Sequence, residues 1–547
     1  MLPLAAMIRT KPFVAQFLFL MLALPLGAEG IKFREVSLGW GIDYRHHFGG
    51  SGRRYMVETT AGGVVMFDFD GDGDEDLFFV DGGSLPGYTG EPARSRLFRN
   101  DGNGHFVDWT EKSGIKIGSY GMGGTAGDID GDGDLDLYVT TFGGPNQLFR
   151  NNGDGTFTDV TAKAGVGETL WSSSSAFADV DNDGDLDLFV VNYVDFSVAS
   201  NKVCGDVTRN LPGYCHPDVY NPLPSRFYRN RGDGTFEDAT QSAGFAGAVG
   251  PGLGVVFGDV DNDGWQDVFI ANDNKPNFLF HNKGNGTFED ISLLSGTSMG
   301  NKGRPEAGMG VDMGDFDNDG QLDIVVTNFE LESFGLYKNL GGGAFLDNRA
   351  PARIAEPTLR SLGFGTAFAD LDQDGDLDVI FANGHTNDNA AEYLEGSLYR
   401  QLNQVFENLG DGKFREDKDS GMNGLHAHRG LAVGDLDGDG DLDAVVVSSN
   451  EECEVYENVI AGGKYLQVDF ASPGGNRFAI GARVEMEAGG KRQIRDVKTA
   501  SSYLSQNALS VHFGLGKSTS VDRLTVRRPG NVQVFENLPA NKRLVIE

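Results

Sequence analysis

The chain is poor in cysteine and in positive charge. Three cysteines in 547 residues cannot form a disulfide framework. There are 45 Lys+Arg against 80 Asp+Glu, a formal net charge of −35. Phosphate neutralisation needs a basic surface, so general nucleic-acid binding is excluded. Glycine is abundant, at 79, but has no period of three, which excludes collagen. Hydrophobic residues make up 39% and include 38 Phe, enough to bury a core and to argue against wholesale disorder. No P-loop, dinucleotide fingerprint or His-Glu-x-x-His set is read, so the expectation is a protein that is not an enzyme.

Long apolar runs are also missing, with one exception. Arg9 and Lys11 precede an apolar stretch from Pro12 to Leu26, and Gly27-Ala28 then meets Glu29. This order of basic, apolar and small residues predicts a signal peptide over 1–28. The same run could serve as an uncleaved anchor. With the leader removed, nothing else spans a bilayer, and the expected location is secreted, periplasmic or at the cell surface.

What the chain has instead is repetition. The pattern Asp-x-Asp-x-Asp-Gly-x-x-Asp occurs seven times. Positions 1, 3, 5 and 9 fall on Asp68, Asp70, Asp72 and Asp76; on Asp128, Asp130, Asp132 and Asp136; and on Asp179, Asp181, Asp183 and Asp187. They continue on Asp259, Asp261, Asp263 and Asp267; on Asp315, Asp317, Asp319 and Asp323; on Asp370, Asp372, Asp374 and Asp378; and on Asp435, Asp437, Asp439 and Asp443. Position 7 is Asp74, Asp134, Asp185, Trp265, Gln321, Asp376 and Asp441. A small-residue stretch precedes each loop and a β-rich apolar run follows it, which reads as two strands, A and B, around an acidic turn. A second pattern follows, clearest in Asn146-Gln-Leu-Phe-Arg-Asn-Asn-Gly-Asp-Gly-Thr-Phe-Thr-Asp, and reads as strands C and D around a glycine turn.

Four strands repeated seven times predict an all-β fold, a seven-bladed β-propeller. The seventh repeat has no strand D. Its missing piece is at the other end of the chain, where Phe33-Arg-Glu-Val-Ser-Leu matches Phe157-Thr-Asp-Val-Thr. The propeller is therefore expected over 33–460, closed by an N-terminal strand that removes the free sheet edges. A small β-rich domain is expected over 464–547, where the balance reverses to 13 Lys/Arg against 7 Asp/Glu.

Alternate carboxylates turn oxygen donors toward one point, glycine at position 6 permits the sharp turn, and the position-7 carbonyl can complete the shell. Such an oxygen-only set suits Ca²⁺ before Mg²⁺, with up to seven ions, and no His or Cys is placed for zinc. The loop lacks the flanking helices and position-12 Glu of an EF-hand. With extracellular-type affinity and about tenfold excess of ion, each site adds about 1.4 kcal/mol, so calcium is expected to be structural.

These repeats resemble the FG-GAP/VCBS repeats of integrin-like propellers, most closely in Gly363-Phe-Gly-Thr-Ala-Phe-Ala-Asp-Leu-Asp-Gln-Asp-Gly. Arg477-Phe-Ala-Ile-Gly-Ala-Arg-Val-Glu, Ser501-Ser-Tyr-Leu-Ser-Gln, Val511-His-Phe-Gly-Leu-Gly and Val521-Asp-Arg-Leu-Thr-Val-Arg-Arg-Pro resemble the ASPIC/UnbV domain that follows such propellers in the cartilage acidic protein family. The resemblance implies calcium in the A–B turns. It fixes architecture better than activity.

In a propeller the A–B loops share one face, and the D–A and B–C loops share the other. Long B–C insertions at Asp81–Ala93, Asn192–Ser225 and Asn383–Asn403 therefore gather opposite calcium. That face is the expected ligand face, with His46, His47, Glu58, Trp171, Glu306, His385, His426 and Arg429 as candidates. Cys204 and Cys215 are expected to pair, and Cys453 to be a buried thiol. The expected function is an adhesion-type interaction module for a protein or glycan, with a calcium-dependent lectin and a propeller enzyme as the alternatives.

Overall fold

The structure, a computed structural model, describes residues 30–460 and 462–547; the leader expected over 1–28 lies outside them. Seven four-stranded antiparallel sheets follow one another. Blade 1 is built from Val64–Phe67, Asp76–Phe79, Arg96–Asn100 and Phe106–Asp108, and blades 2 to 6 repeat this order. Blade 7 takes three strands from His428–Gly434, Asp443–Ser448 and Glu454–Asn458. Its fourth is Phe33–Glu35, paired antiparallel with Phe33 opposite Asn458. The ring is thus closed by the two ends of the propeller segment.

Strand A lines the axis in each blade, and its small residues let seven strands converge. In blade 3 it reads Ser-Ser-Ser-Ser-Ala-Phe-Ala, buried throughout. Large apolar residues of strands B and C fill the space between blades, as Phe189, Phe227, Ile270 and Phe280 do between blades 3 and 4.

Residues 462–547 form two sheets. One pairs Tyr465–Phe470 with Val511–Gly514 and, in parallel, with Lys542–Ile546. The other orders Lys491–Asp496, Arg483–Ala488, Ser520–Arg528 and Asn531–Pro539. This domain does not stand apart. Its Val484, Met486 and Phe513 share one apolar cluster with Ile129, Tyr138 and Phe177 of the propeller.

The domain sits on the acidic-loop face, as its charge suggests. Arg543 donates to the Gly73 carbonyl. Arg483 donates to the Asp259 carbonyl at 3.0 Å, Lys491 to that of Asp374 at 3.1 Å, and Gly514 N–H to Asp370 at 2.9 Å. From this seat the segment Ser501–Gln506 enters the axis. Ser502 and Val311 exchange backbone hydrogen bonds at 2.7 and 2.9 Å. Leu504 N–H reaches Ser174 Oγ at 3.2 Å, and Gln506 Oε1 accepts from Thr125 and Ala126, both at 2.8 Å. The segment is buried. Ser502 and Leu504 hold φ of 67° and 56°, left-handed values that side chains rarely adopt unless their surroundings impose them. Crowding of seven strands at the axis does not by itself account for the small residues of strand A. Some of that room is for this segment: a Cβ on Gly63 would lie 2.1 Å from the Leu504 carbonyl oxygen.

Candidate functional site

The acidic loops share one geometry. The position-1 carboxylate accepts the position-6 N–H in all seven, from 2.9 Å at Asp68 to 3.2 Å at Asp179. The position-5 carboxylate accepts the position-7 N–H, as Asp72 does from Asp74 at 3.0 Å. In six of the seven the position-9 carboxylate turns back and accepts the position-2 N–H, as Asp76 does from Phe69 at 2.9 Å; Asp187 is the exception. Two residues per loop take positive φ. Position 6 is the expected glycine, with φ from 86° to 98°. Position 4 is either glycine (Gly71, Gly131, Gly438) or an amide residue, Asn182, Asn262, Asn318 and Gln373, at φ of 57–62°. Asn tolerates this region by local hydrogen bonding. Three of these amides also bridge neighbouring loops: Asn262 to Gln321 at 2.9 Å, Asn318 to the Gly375 carbonyl at 3.2 Å and Gln373 to the Gly440 carbonyl at 2.8 Å.

Carboxylate oxygens of positions 1, 3 and 9 converge in Asp68, Asp70 and Asp76 and in Asp128, Asp130 and Asp136, and those of positions 1, 3 and 5 in Asp179, Asp181 and Asp183 and in Asp259, Asp261 and Asp263. Such clusters could hold a metal ion. Burial disfavours their charge, and neighbouring carboxylates add to it: Asp68, Asp128, Asp179 and Asp315 are pushed up to about 6, and Asp370 and Asp435 to about 7. Asp187 rises to about 8. Five buried oxygens of the aspartates at positions 1, 3 and 9 have no hydrogen-bond partner: Asp130 Oδ1, Asp187 Oδ2, Asp261 Oδ1, Asp317 Oδ1 and Asp370 Oδ1. Buried carboxylate oxygens without a donor are unfavourable, and a cation among them supplies the missing partner. The donor set is all oxygen, with one variation: His281 Nδ1 stands 3.5 Å from Asp261 and 3.0 Å from Asp267.

On the opposite face, the Asn192–Ser225 insertion carries a disulfide between Cys204 and Cys215. It packs on the Asn383–Asn403 insertion, with Tyr214 N–H on Asn387 at 3.0 Å and Tyr393 Oη on the Leu211 carbonyl at 2.9 Å. Between these loops and the axis lies a cavity of about 310 Å³. Its walls include Met56, Tyr193, Tyr214, Asp273, Phe329, Glu332 and Phe364. Cys453 is a buried free thiol, its pKa raised by burial.

None of the eight candidates from the sequence lines this cavity. Trp171 is not an open stacking platform: it is 3% exposed, packed between Phe142, Tyr193 and Phe196. Arg429 is fully buried over the Phe364 ring at 4.0 Å and donates to the carbonyls of Thr59 (2.7 Å) and His428 (2.7 Å). Glu306 pairs with buried Arg349 at 2.8 Å. Glu58 accepts from Tyr214 Oη at 2.7 Å. His46 is buried and pushed down to about 4 by desolvation; His47 pairs with Asp81 at 3.0 Å. His385 is likewise pushed down to about 4 by burial and accepts from Asn387 N–H at 2.9 Å. His426 pairs with Glu451 at 2.9 Å. These polar residues of the D–A and B–C segments are largely satisfied by protein, and they hold the face together. The cavity acids Asp273 and Glu332 carry no distinguishing pattern in the sequence.

The stretch Gly296-Thr-Ser-Met-Gly300 has the spacing of a nucleophile elbow, a motif the sequence reading passes over. It follows the short helix Ser292–Ser295 and does not join a strand to a helix. The Arg231-Gly-Asp233 tripeptide is folded into the C–D turn, where Asp233 accepts from Thr235 N–H at 3.0 Å. No helix of the described residues is long and apolar enough to cross a membrane.

The FG-GAP-like repeat family matches residues 68–139, 128–190, 216–270, 259–326, 315–381 and 370–446, and the ASPIC and UnbV family matches 472–547. Cartilage acidic protein 1 of Mus musculus is 29% identical over 490 residues, covering 83% of this chain and 68% of that protein. The Homo sapiens protein of the same name is 28% identical over 515 residues, covering 88% and 70%. Among solved structures, the BP39L lectin from Burkholderia pseudomallei aligns with a TM-score of 0.44 at 10% identity, over 74% of this chain and 97% of that one. An Agrocybe aegerita lectin aligns with a TM-score of 0.37 at 18% identity, over 71% and 85%. The chain belongs to the FG-GAP-like repeat family, with an ASPIC and UnbV domain over residues 472–547.

Proposed function

We propose that this is an exported, calcium-stabilised interaction module that binds a partner through the face opposite its acidic loops, and that it is not an enzyme. One observation carries the choice of face. The C-terminal domain occupies the loop face and its Ser501–Gln506 segment fills the axis, while the opposite face keeps a cavity walled by long insertions. Ligand sites favour such concavities on loops held by a rigid scaffold.

Calcium has a separate task in this reading. Positions 1, 3, 5 and 9 would hold the ion, and the ion supplies charge neutralisation. The partnerless oxygens of Asp130, Asp261 and Asp317 support this. The backbone contacts from the C-terminal domain fall on Gly73, Asp259, Gln373, Asp374 and Gly440, at loop positions 6, 1, 4, 5 and 6, so the position-7 carbonyls stay available.

The test is capture from matrix or envelope extract by the full chain, with and without chelator, beside a glycan array. Capture should need calcium and should fall when the 204–215 loop is opened by Cys204→Ser with Cys215→Ser. Capture unchanged in that folded variant would move the site off this face. Signal on glycans alone would favour a lectin.

A further inference from the structure

The cavity on the insertion face has two chemically different ends. Met56, Leu253, Met309 and the rings of Phe329 and Phe364 make an apolar wall, and Asp273 and Glu332 make an acidic end. No lysine or arginine lines it. The nearby cations are engaged elsewhere: Lys275 with Asp218 at 2.6 Å, and Arg349 with Glu306 and Asp347, both at 2.8 Å. Both acids have pKa values raised chiefly by burial, and Glu332 also by the charges of Glu306 and Asp273. His216 is the basic residue in the lining and acts on Asp273, while Asp273 lies near enough to Glu332 to raise it; two partly buried carboxylates with one histidine beside them favour an added cation.

We propose that this cavity takes the ammonium group of a lysine side chain presented by a partner protein. The inference rests on the interaction reading above and names what that face recognises. A lysine matches both ends of the cavity, since its four-carbon stem is apolar and its tip is charged. Arg429 already covers the Phe364 ring at 4.0 Å, so the attraction for the ammonium comes from the carboxylates.

The hydrogen bonds already made choose lysine over arginine. Asp273 accepts from Tyr193 Oη at 2.5 Å on one oxygen and from the Asn274 amide at 2.8 Å on the other. Glu332 accepts from Ala307 N–H at 2.8 Å on one oxygen. Neither carboxylate offers two free oxygens side by side. A guanidinium fork needs such a pair, whereas an ammonium is a point charge with three rotatable donors that single lone pairs satisfy.

The probe is Nα-acetyl-lysine methylamide, titrated calorimetrically into the full chain in calcium. Its Nε-acetylated counterpart should bind at least about tenfold more weakly, because a charge-assisted hydrogen bond is lost. Asp273→Asn and Glu332→Gln should each weaken the lysine probe by about tenfold. Both variants keep an acceptor in place, and near-ultraviolet circular dichroism checks their packing. Equal binding of the two probes, undiminished binding in both variants, or no binding of either probe overturns the proposal. Binding of glucosamine in place of the lysine probe also overturns it, in favour of an amino sugar. Extract capture that persists when the lysine probe fails removes this inference alone; loss of all capture removes the interaction reading as well.

Discussion

The side-chain amide of Asn100 donates to the carbonyl of Leu436 at 2.8 Å, joining blade 1 to blade 7 across the closure of the ring. The bond is one of seven. Asn151, Asn230, Asn282, Asn339, Asn408 and Asn458 reach in the same way to Phe69, Ile129, Val180, Val260, Phe316 and Leu371 of the preceding blade, at 2.7–2.9 Å. Each asparagine also gives its backbone N–H to the position-9 aspartate of its own loop, as Asn100 does to Asp76 at 2.7 Å. One residue per blade thus ties strand C, the acidic loop and the neighbouring blade together. Removing one amide leaves a buried carbonyl without a donor, which costs about 1–3 kcal/mol. Asn100→Ala should therefore lower stability by about that amount in a urea melt. Exposed Asn423→Ala, at an ordinary backbone angle, should leave it within about 0.5 kcal/mol. Equal midpoints for the two variants would show that the ladder is dispensable.

Much of this was legible in the chain, for identifiable reasons. Positions 1, 3, 5 and 9 could be read because their function resides in the side chain itself. The strand Phe33–Glu35 could be read because the seventh repeat lacked a partner that the N-terminus supplied. The asparagine ladder is present in the chain as a repeated Phe/Tyr-x-Asn, but its acceptor belongs to another blade, so spacing alone gave it no role. The left-handed position 4 was hidden because glycine, asparagine and glutamine share it. Trp171 looked like a surface aromatic because the rings that bury it, Phe142 and Phe196, come from a different blade and from an insertion. Ser501–Gln506 is polar enough to read as a loop, and only the strands around it make it interior.

Metal dependence should differ among the loops. Beside the position-3 carboxylate, strand C places a basic residue in blades 1 to 5: Arg99 at 3.9 Å from Asp70, Arg150 at 3.8 Å from Asp130, Arg229 at 3.5 Å from Asp181, the imidazole of His281 at 3.5 Å from Asp261, and Lys338 beside Asp317. Blades 6 and 7 place Glu407 and Glu457 there, and these raise Asp372 and Asp437 further. A built-in cation opposes a bound one, and an added carboxylate favours it. Under the calcium reading, Glu407→Arg should weaken one site by about tenfold or less, and Arg150→Glu should strengthen one by a similar factor. Calcium titration followed by terbium luminescence reads both. Identical isotherms for the variants and the parent would mean that strand C does not tune the loops.

Acid should destabilise the propeller through two buried histidines. His46 and His385 fall to about 4 in the folded chain because burial disfavours their charged forms, while an unfolded histidine titrates near 6.5. Between those values the unfolded state binds more protons, so stability falls as pH drops from about 6.5 toward about 4. Each histidine contributes up to about 1.4 kcal/mol per pH unit in that window. The His385→Asn variant should lose its share of the slope, measured as unfolding free energy against pH at saturating calcium. A variant with the parent's slope would place the proton uptake elsewhere.

The axial segment should behave as an integral part of the core. Gly63 and Gly123 both lie at ordinary backbone angles, so an added methyl would introduce no torsional penalty and would test space alone. At Gly63 it would stand 2.1 Å from the Leu504 carbonyl oxygen, and at Gly123 2.4 Å from the same atom. That oxygen is backbone, accepts from Gly124 N–H at 3.3 Å, and cannot rotate away as a side chain would. Gly63→Ala and Gly123→Ala should each destabilise by about 1–3 kcal/mol, the range for overfilling a packed interior. The displaced segment should also exchange its amide hydrogens faster at Leu504 and Gln506, which now donate to Ser174 and to the Val64 carbonyl. Gly247→Ala probes a glycine outside the left-handed region with no atom near its would-be Cβ and should leave exchange at Leu504 unchanged. If Gly63→Ala leaves both the melt and the exchange at Leu504 as they are, the segment is loosely seated, and the C-terminal domain does not seal the axis from the loop side.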